Sequence, residues 1–216
     1  MKFLVVSDIH GSADYTKKAL EAYTLHKPDQ ILLLGDILYH GPRNPLPQGY
    51  NPQEVVALLN PLADKIIAVR GNCDAEVDQM LLNFDILRDC ATLFLGGRRI
   101  TATHGHLFPL DPPPHSFPGD IYLFGHIHIP VIRQENGITL LNPGSITLPK
   151  ENSPHTYALL DEHGFTIMTI DHEVYQLSLI HICQIFLAHE RQRFFTRGRD
   201  HCDPVCIDSK ASSTFP

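Results

Sequence analysis

Several absences in this 216-residue sequence exclude whole classes of protein. No hydrophobic run is long: residues 3–6 and 31–34 are typical, and both are far too short to cross a bilayer. No signal peptide follows Met1, and positive charge is not in excess, with 17 Lys and Arg against 24 Asp and Glu. We therefore expect no membrane association and no stable nucleic-acid binding through spread basic side chains.

Cysteine is scarce, with five residues and none before position 73. An odd number without regular spacing excludes a disulfide scaffold, and we expect a cytoplasmic location. Hydrophobic residues at 43% and charged residues at 19% are typical of a globular protein. At this length a single domain is expected.

The first 70 residues alternate short apolar runs with amphipathic stretches. Strands are predicted at residues 2–7, 30–34 and 65–69, and helices at 14–26 and 52–62. This βαβαβ order implies parallel strands joined by right-handed crossovers.

Beyond a short helix predicted at residues 75–82, the sequence is rich in short strands separated by turn residues. The predicted strands are residues 92–95, 99–103, 121–124, 131–134, 138–141, 157–160 and 165–170. Two mixed sheets with helices outside accommodate both halves, so the expected fold is an α/β four-layer α-β-β-α sandwich. Residues 1–180 form the predicted domain, and residues 181–216 an atypical tail, a short helix followed by disorder.

Polar residues follow directly after the predicted strands in both halves. Because loops at the carboxyl ends of parallel strands converge on one rim, these side chains are expected to meet there. Glycines beside them allow sharp turns. The candidates are Asp8, His10, Asp36, Asn72, His104, His126 and His128.

Carboxylate, imidazole and amide groups without thiolate suit ions such as Mn²⁺, Fe²⁺, Zn²⁺ or Ni²⁺. Seven ligands are too many for one ion, whereas two ions that share a bridging carboxylate use seven side chains well. Singly, Asp8, Asp36 or Asn72 also fits a helix cap or a turn. Together and without an ion, they would leave buried charges uncompensated, which favours the metal interpretation.

In chain order, five motifs resemble those of the calcineurin-like metallophosphoesterases: Asp8-x-His10, Gly35-Asp36, Gly71-Asn72, His104-x-His106 and Gly125-His126-x-His128. The resemblance covers residues 1–180 and is greatest to small bacterial and archaeal phosphodiesterases. It implies one ion held by Asp8, His10 and His128. It implies a second ion held by Asn72, His104 and His126, with Asp36 bridging the two.

The resemblance also implies an activity, the hydrolysis of a small phosphodiester by hydroxide from a bridging water. Mn²⁺ is the expected ion, with Ni²⁺, Co²⁺, Fe²⁺ or Zn²⁺ as alternatives, and a homo-oligomer is expected. Asn72 and His106 are the candidate catalytic residues. Phosphomonoesterase or nucleotide pyrophosphatase activity remains an alternative. So does a non-catalytic protein-binding module, because a retromer-subunit branch of the family uses this fold with a degraded metal site.

One residue departs from the family pattern. Much of the family has His after the motif Asn, where it is thought to assist the leaving group, whereas this chain has Cys73. A thiol with a pKa of about 8.5 is a poor proton donor compared with imidazole. We therefore predict a preference for good leaving groups, unless His106, His40 or a metal-bound water supplies the proton.

Two proline-rich loops, residues 39–51 and 109–119, are expected to border the site. His40 on the first loop and Arg70 before Gly71 are candidate substrate-binding residues. A solvated loop histidine and a surface ion pair are the respective alternatives. Cys90 is predicted to be a small core residue.

Overall fold

A computed structural model of the chain describes residues 1–108 and 116–179, which form eleven strands and three α-helices. The helices are α1 (Ala13–His26), α2 (Pro52–Leu59) and α3 (Glu76–Gln79), with a 3₁₀ helix at Asn60–Lys65. The strands are β1 (Phe3–Val6), β2 (Gln30–Leu33), β3 (Ile66–Ala68), β4 (Cys90–Leu95), β5 (Arg98–Thr103), β6 (Ile121–Leu123), β7 (Pro130–Glu135), β8 (Ile138–Pro143), β9 (Thr156–Asp161), β10 (Gly164–Thr169) and β11 (Val174–Leu179). Among the described helices, none has the length and apolar character of a membrane span.

The first sheet has six strands in the order β11-β10-β9-β1-β2-β3. Strands β1, β2 and β3 are parallel, as the βαβαβ pattern predicts. The later strands β9, β10 and β11 extend this sheet in antiparallel pairing on the other side of β1. Strand β1 is therefore central, and the polar residues that follow it lie at the middle of the sheet edge.

The second sheet has five strands in the order β4-β5-β6-β8-β7. Its inner strands β5, β6 and β8 are parallel, and antiparallel β4 and β7 form its edges. As in the first sheet, the loops after parallel strands lie at one edge.

The core lies between the two sheets and between the first sheet and its helices. Alternate residues of one strand face opposite sides. Val5 and Leu32 pack with Leu123 of the second sheet. Leu4 and Leu33 pack instead in the cluster formed with α1 and α2. The predicted α/β sandwich of two mixed sheets is confirmed. Within residues 1–108 and 116–179, the third apolar cluster of the five-stranded sheet, which contains Tyr122, Phe124, Ile138 and Leu140, includes no helix residue.

Two helices are shorter than their apolar pattern predicts. Helix α2 ends at Leu59 because Pro61 has no N–H to donate, and the chain continues as the 3₁₀ helix. Helix α3 ends at Gln79, whose side chain bonds the backbone of Phe84 at 2.9 Å and of Ile86 at 2.8 Å. These two bonds satisfy backbone groups of the irregular segment that follows α3. The segment therefore does not form a further helical turn.

Strand β11 was not predicted, because Val174, Tyr175 and Leu177 are largely exposed and give no buried pattern. The prediction that Cys90 is a core residue is wrong, since this residue is exposed on the edge strand β4. The predicted tail at 181–216 and most of the 109–119 loop lie outside the described residues. The predicted domain boundary therefore stays a prediction.

Candidate metal centre

The edge where both sheets end brings the seven predicted ligands into one cluster. Asp8, Asp36 and Asn72 follow β1, β2 and β3 of the first sheet, with His10 two residues beyond Asp8. His104 follows β5 of the second sheet, and His126 and His128 follow β6. Each sheet therefore contributes ligands to a shared site.

Asp8 has one carboxylate oxygen that lacks a hydrogen-bond partner. Its Oδ2 accepts from Ser7 Oγ at 2.5 Å and from the His126 backbone N–H at 3.2 Å. Its Oδ1 is buried and has no hydrogen-bond partner, and it lies 3.2 Å from His128 Nε2 and 3.7 Å from His10 Nε2. The two imidazole nitrogens are 3.3 Å apart. Three ligand atoms of a kind that binds divalent ions thus converge on one point.

The tautomers of three histidines are fixed by backbone carbonyls. His10 Nδ1 lies 3.0 Å from Tyr39 O, and His104 Nδ1 and His128 Nδ1 each lie 2.6 Å from a carbonyl, those of Leu34 and Leu148. A carbonyl can only accept, so each Nδ1 carries the proton and donates it. The Nε2 lone pairs therefore face the carboxylates, the arrangement that second-shell bonds impose on metal-binding histidines.

A second convergence surrounds Asp36. Its Oδ2 lies 3.5 Å from His104 Nε2 and 3.6 Å from His10 Nε2, and His104 Nε2 lies 3.1 Å from Asn72 Oδ1. The backbone N–H of Cys73 donates to Asp36 Oδ1 at 2.8 Å, which orients the carboxylate. Asp36 thus lies between a histidine of each cluster, the position of a bridging ligand.

The electrostatics of the site favour a positive charge between these groups. Burial alone would lower the pKa of His104, but Asp36 and Asp8 raise that pKa to about 9. Burial would raise the pKa of Asp8, but His128, His104 and His10 hold the pKa of this carboxyl well below its usual range. A divalent ion supplies the same positive charge in place of protons, so the residues present fit a metal centre.

Five of the seven candidate ligands have left-handed backbone conformations, which non-glycine residues rarely adopt. These conformations direct neighbouring side chains of a sharp turn toward the same point. Backbone conformations of this strained kind are concentrated at functional sites. The residues are Asp8 (φ 59°), His10 (φ 51°), Asp36 (φ 55°), His126 (φ 67°) and His128 (φ 63°).

Gly71 leaves room for the Asp36 carboxylate. A Cβ at this position would overlap both the Oδ1 and the backbone nitrogen of Asp36. Gly35 is constrained in the same way, because its φ is +92° and a Cβ would lie 2.7 Å from the Gly71 Cα. The loops after β2 and β3 therefore pack against each other by direct backbone approach.

Sequence reasoning missed Asp74, which joins these two loops. This carboxylate is buried and accepts from the backbone N–H groups of Asp36 (2.8 Å), Ile37 (2.8 Å) and Gly71 (2.7 Å). Burial, with Asp36 nearby, raises the pKa of Asp74 to about 6 despite these donors. Its only signal in the sequence is an aspartate in a strand-end loop, a residue type that commonly bonds backbone groups.

A cavity of about 550 Å³ opens over the centre, and Asp36, Asn72, His126 and His128 form part of its wall. Residues of the first proline-rich loop line it too, as that loop was expected to do. Arg43 and Lys150 were not predicted as site residues, and both line the cavity. Cys73 forms part of the same wall, and burial raises the pKa of its thiol to about 12, with Asp36 contributing.

The remaining predicted residues lie around the centre rather than in it. His106 has its ring 5.3 Å from that of His104 and a buried Nδ1 without a hydrogen-bond partner. Burial, followed by the charge of His104, lowers its pKa. The ring of His40 packs edge-on against Tyr39 and Tyr50. Arg70 pairs with Glu76 at 3.4 Å and does not line the cavity, which favours the surface ion pair.

Two mixed sheets that hold a carboxylate-histidine-amide cluster at their shared edge define a metallophosphoesterase fold. Residues 1–164 match the calcineurin-like phosphoesterase superfamily domain, so the chain belongs to that family. It is 43% identical over 171 residues to the phosphodiesterase YfcE of Escherichia coli K12, which covers 79% of this chain and 93% of YfcE. The expected family and a metal-dependent phosphoesterase are thereby confirmed.

Solved structures agree with this assignment. A structure of YfcE, a phosphoesterase from E. coli, matches with a TM-score of 0.81 at 42% identity, over 84% of this chain and 100% of that one. Vacuolar Protein Sorting 29 from Cryptosporidium parvum matches with a TM-score of 0.55 at 19% identity, over 82% and 95% of the two chains. At that identity the second likeness shows the fold alone.

Proposed function

We propose that this chain is a phosphodiesterase with two divalent ions. Asp8, His10 and His128 hold one ion, Asn72, His104 and His126 the other, and Asp36 bridges them. The observation that carries the proposal is the buried, unpartnered Asp8 Oδ1 that faces the Nε2 atoms of His10 and His128. The identity to a named phosphodiesterase supports phosphodiesters as the substrate class.

Bound there, the ions would lower the pKa of a bridging water and polarise the phosphoryl oxygens. The side chains of the protein would orient the ligands and the substrate. The Nδ1–H groups of His10, His104 and His128 bond backbone carbonyls, which keep these three rings in place. Asn72 and His106 are the proposed groups that face the phosphoryl oxygens.

An assay with bis-4-nitrophenyl phosphate tests this proposal. Metal-stripped protein should be inactive and should recover activity with Mn²⁺, Ni²⁺ or Co²⁺. Asp36→Asn should lose at least about 100-fold in kcat, because a bridging charge at the reacting centre is removed. The surface variant Asp64→Asn, in an exposed pair with Lys65, is the matched control and should retain activity.

Absence of turnover with every metal would contradict the proposal and favour the protein-binding alternative. Faster turnover of 4-nitrophenyl phosphate than of the diester would favour the phosphomonoesterase. The choice of Mn²⁺ and a homo-oligomer stay predictions, which metal analysis of purified protein and its mass in solution would test.

A further inference from the structure

Arg43 and Lys150 are basic residues on the cavity wall that no metal ligand requires. Several other basic residues are paired with carboxylates, for example Arg70 with Glu76 and Arg133 with Glu135. Within residues 1–108 and 116–179, neither Arg43 nor Lys150 has a carboxylate partner. Two exposed cations therefore face the cavity with their charge unmatched by the described part of the chain.

Backbone bonds hold Lys150 close to a candidate ligand, and bonds of the neighbouring Asn44 hold the turn that contains Arg43. In the turn at Arg43, Asn44 Nδ2 donates to His40 O at 2.8 Å. Lys150 N donates to His128 O at 3.2 Å, and Lys150 O accepts from Ser153 Oγ at 2.6 Å. The backbone of Lys150 is thus fixed relative to the centre, and the side chains of both cations are exposed.

The charges of the site exceed what a simple phosphodiester matches. The two proposed ions carry four positive charges, and Asp8, Asp36 and the hydroxide of the proposed mechanism carry three negative ones, whereas the Asp74 carboxylate is bonded by three backbone N–H groups. The single negative charge of a phosphodiester neutralises the remainder. Arg43 and Lys150 then add two positive charges that have no counterpart, and a phosphate monoester carries about two negative charges at neutral pH.

We propose that Arg43 and Lys150 bind a second phosphate group on the substrate, which would be a phosphodiester with a terminal phosphate on one of its arms. The guanidinium fork and the ammonium group both suit phosphate oxygens. A carboxylate would match only one of the two charges. The inference rests on the proposed phosphodiesterase function and narrows its substrate class.

Two chromogenic diesters that differ by one phosphate test this inference on the full-length, Mn²⁺-loaded protein. They are the 4-nitrophenyl ester of thymidine 5′-phosphate and the same ester with a 3′-phosphate. We expect kcat/KM to be at least about tenfold higher for the second, chiefly through KM, because the additional charge pairs act in binding. Arg43→Gln and Lys150→Gln should each reduce that ratio to below about threefold.

Arg133→Gln and Lys18→Gln remove the same charges from surface pairs elsewhere and should retain the wild-type ratio. A wild-type ratio near one, or a ratio that both cavity variants retain, would overturn the inference while leaving the phosphodiesterase proposal intact. An equal loss on both substrates would also overturn it, because it would show a general effect on the site.

Equilibrium binding separates this inference from the proposed activity. By calorimetry, thymidine 3′,5′-bisphosphate should bind the wild type at least about tenfold more tightly than thymidine 5′-phosphate, and both cavity variants should lose that difference. Equal affinities would overturn the inference even if the diesters are hydrolysed. If neither diester is hydrolysed but the binding difference holds, the phosphodiesterase proposal fails and the phosphate site stands.

Discussion

The residue that most affects the expected chemistry is Cys73. It lies on the cavity wall beside Asn72, and its backbone N–H holds the bridging carboxylate of Asp36. Its side chain is a weak acid compared with imidazole, because burial raises the pKa of the thiol to about 12. The chain therefore has the candidate ligands of the proposed metal centre and lacks an imidazole at this position.

Cys73→His should restore such an acid. We expect at least about a tenfold gain in kcat for diesters with alcohol leaving groups, and little change for bis-4-nitrophenyl phosphate, whose leaving group needs no proton. Steady-state rates across a series of leaving groups measure this difference. Cys73→Ser, similar in size and without a suitable acid, is the matched control. Unchanged rates on the poor leaving groups would show that another group, such as His106, already supplies the proton.

Some residues of the candidate site could be predicted from the sequence, and others could not. Asp8 and Asp36 could be predicted, because each follows a buried strand and parallel strands end at one rim. Asp74 and Lys150 could not, because their roles depend on contacts between loops that are distant in the sequence. Arg43 lies in a proline-rich loop. The conformation of such a loop cannot be predicted from the hydrophobic periodicity of the sequence, so the position of Arg43 could not be predicted either.

At the scale of elements, the end of α1 holds a small polar network away from the metal centre. His26 Nε2 lies 2.9 Å from the hydroxyl of Tyr157 on β9, which lies 2.9 Å from His172 Nδ1. Burial lowers the pKa of His26, and the nearby His172 and Lys2 lower it further. The folded chain therefore binds a proton at His26 less readily than the unfolded chain does.

This network predicts a loss of stability in mild acid. Above the ordinary histidine pKa of 6.5, His26 is neutral in both states and contributes nothing to the pH dependence. As the pH falls below 6.5, the unfolded chain takes up a proton first, so the free energy of unfolding decreases. His26→Gln should make the difference in urea midpoint between pH 7.5 and pH 5.5 smaller than in the wild type.

The exposed His163, between β9 and β10, provides the control. His163→Gln should leave the pH dependence of the urea midpoint as in the wild type. An identical pH dependence for His26→Gln and the wild type would contradict the assignment, since the metal-site histidines are common to all three proteins.

The elements themselves were predicted best where burial is strong. Strands β1 and β6 are buried throughout, β2 is buried except at Gln30, and all three were recognised within a residue or two of their ends. Strand β11 was missed because its apolar side chains are exposed, and α3 was predicted too long because a side-chain bond from Gln79 replaces its last turn. The pattern of buried residues therefore predicts where a strand lies. The end of α3, in contrast, depends on a local side-chain bond that this pattern does not reveal.

At the scale of the whole molecule, the candidate metal centre lies between loops of the two sheets. Asp8, His10, Asp36 and Asn72 belong to the six-stranded sheet, and the other three ligands to the five-stranded one. Ions held between them bind only the folded arrangement, so they should stabilise the packing of one sheet on the other.

Chelation should therefore lower the melting temperature. An ion present at 100 times its dissociation constant stabilises a protein by about 2.7 kcal/mol, which for a chain of this size corresponds to about 5–10 °C. Calorimetry in Mn²⁺ and in EDTA measures the shift. Asp36→Asn, which lacks the bridging charge, should show a much smaller shift. Equal melting temperatures of the wild type in both buffers would contradict a link between the sheets.

The left-handed ligands have a consequence for anyone who evolves this chain in the laboratory. Each non-glycine residue in that conformation costs about 1–2 kcal/mol, and glycine adopts it without that penalty. At positions such as His126, a change to glycine relieves strain as it removes a ligand. A selection for heat resistance in metal-free buffer, where a lost ligand forfeits no ion binding, will therefore enrich inactive clones with glycine at the turns, so any such screen has to select for turnover at the same time.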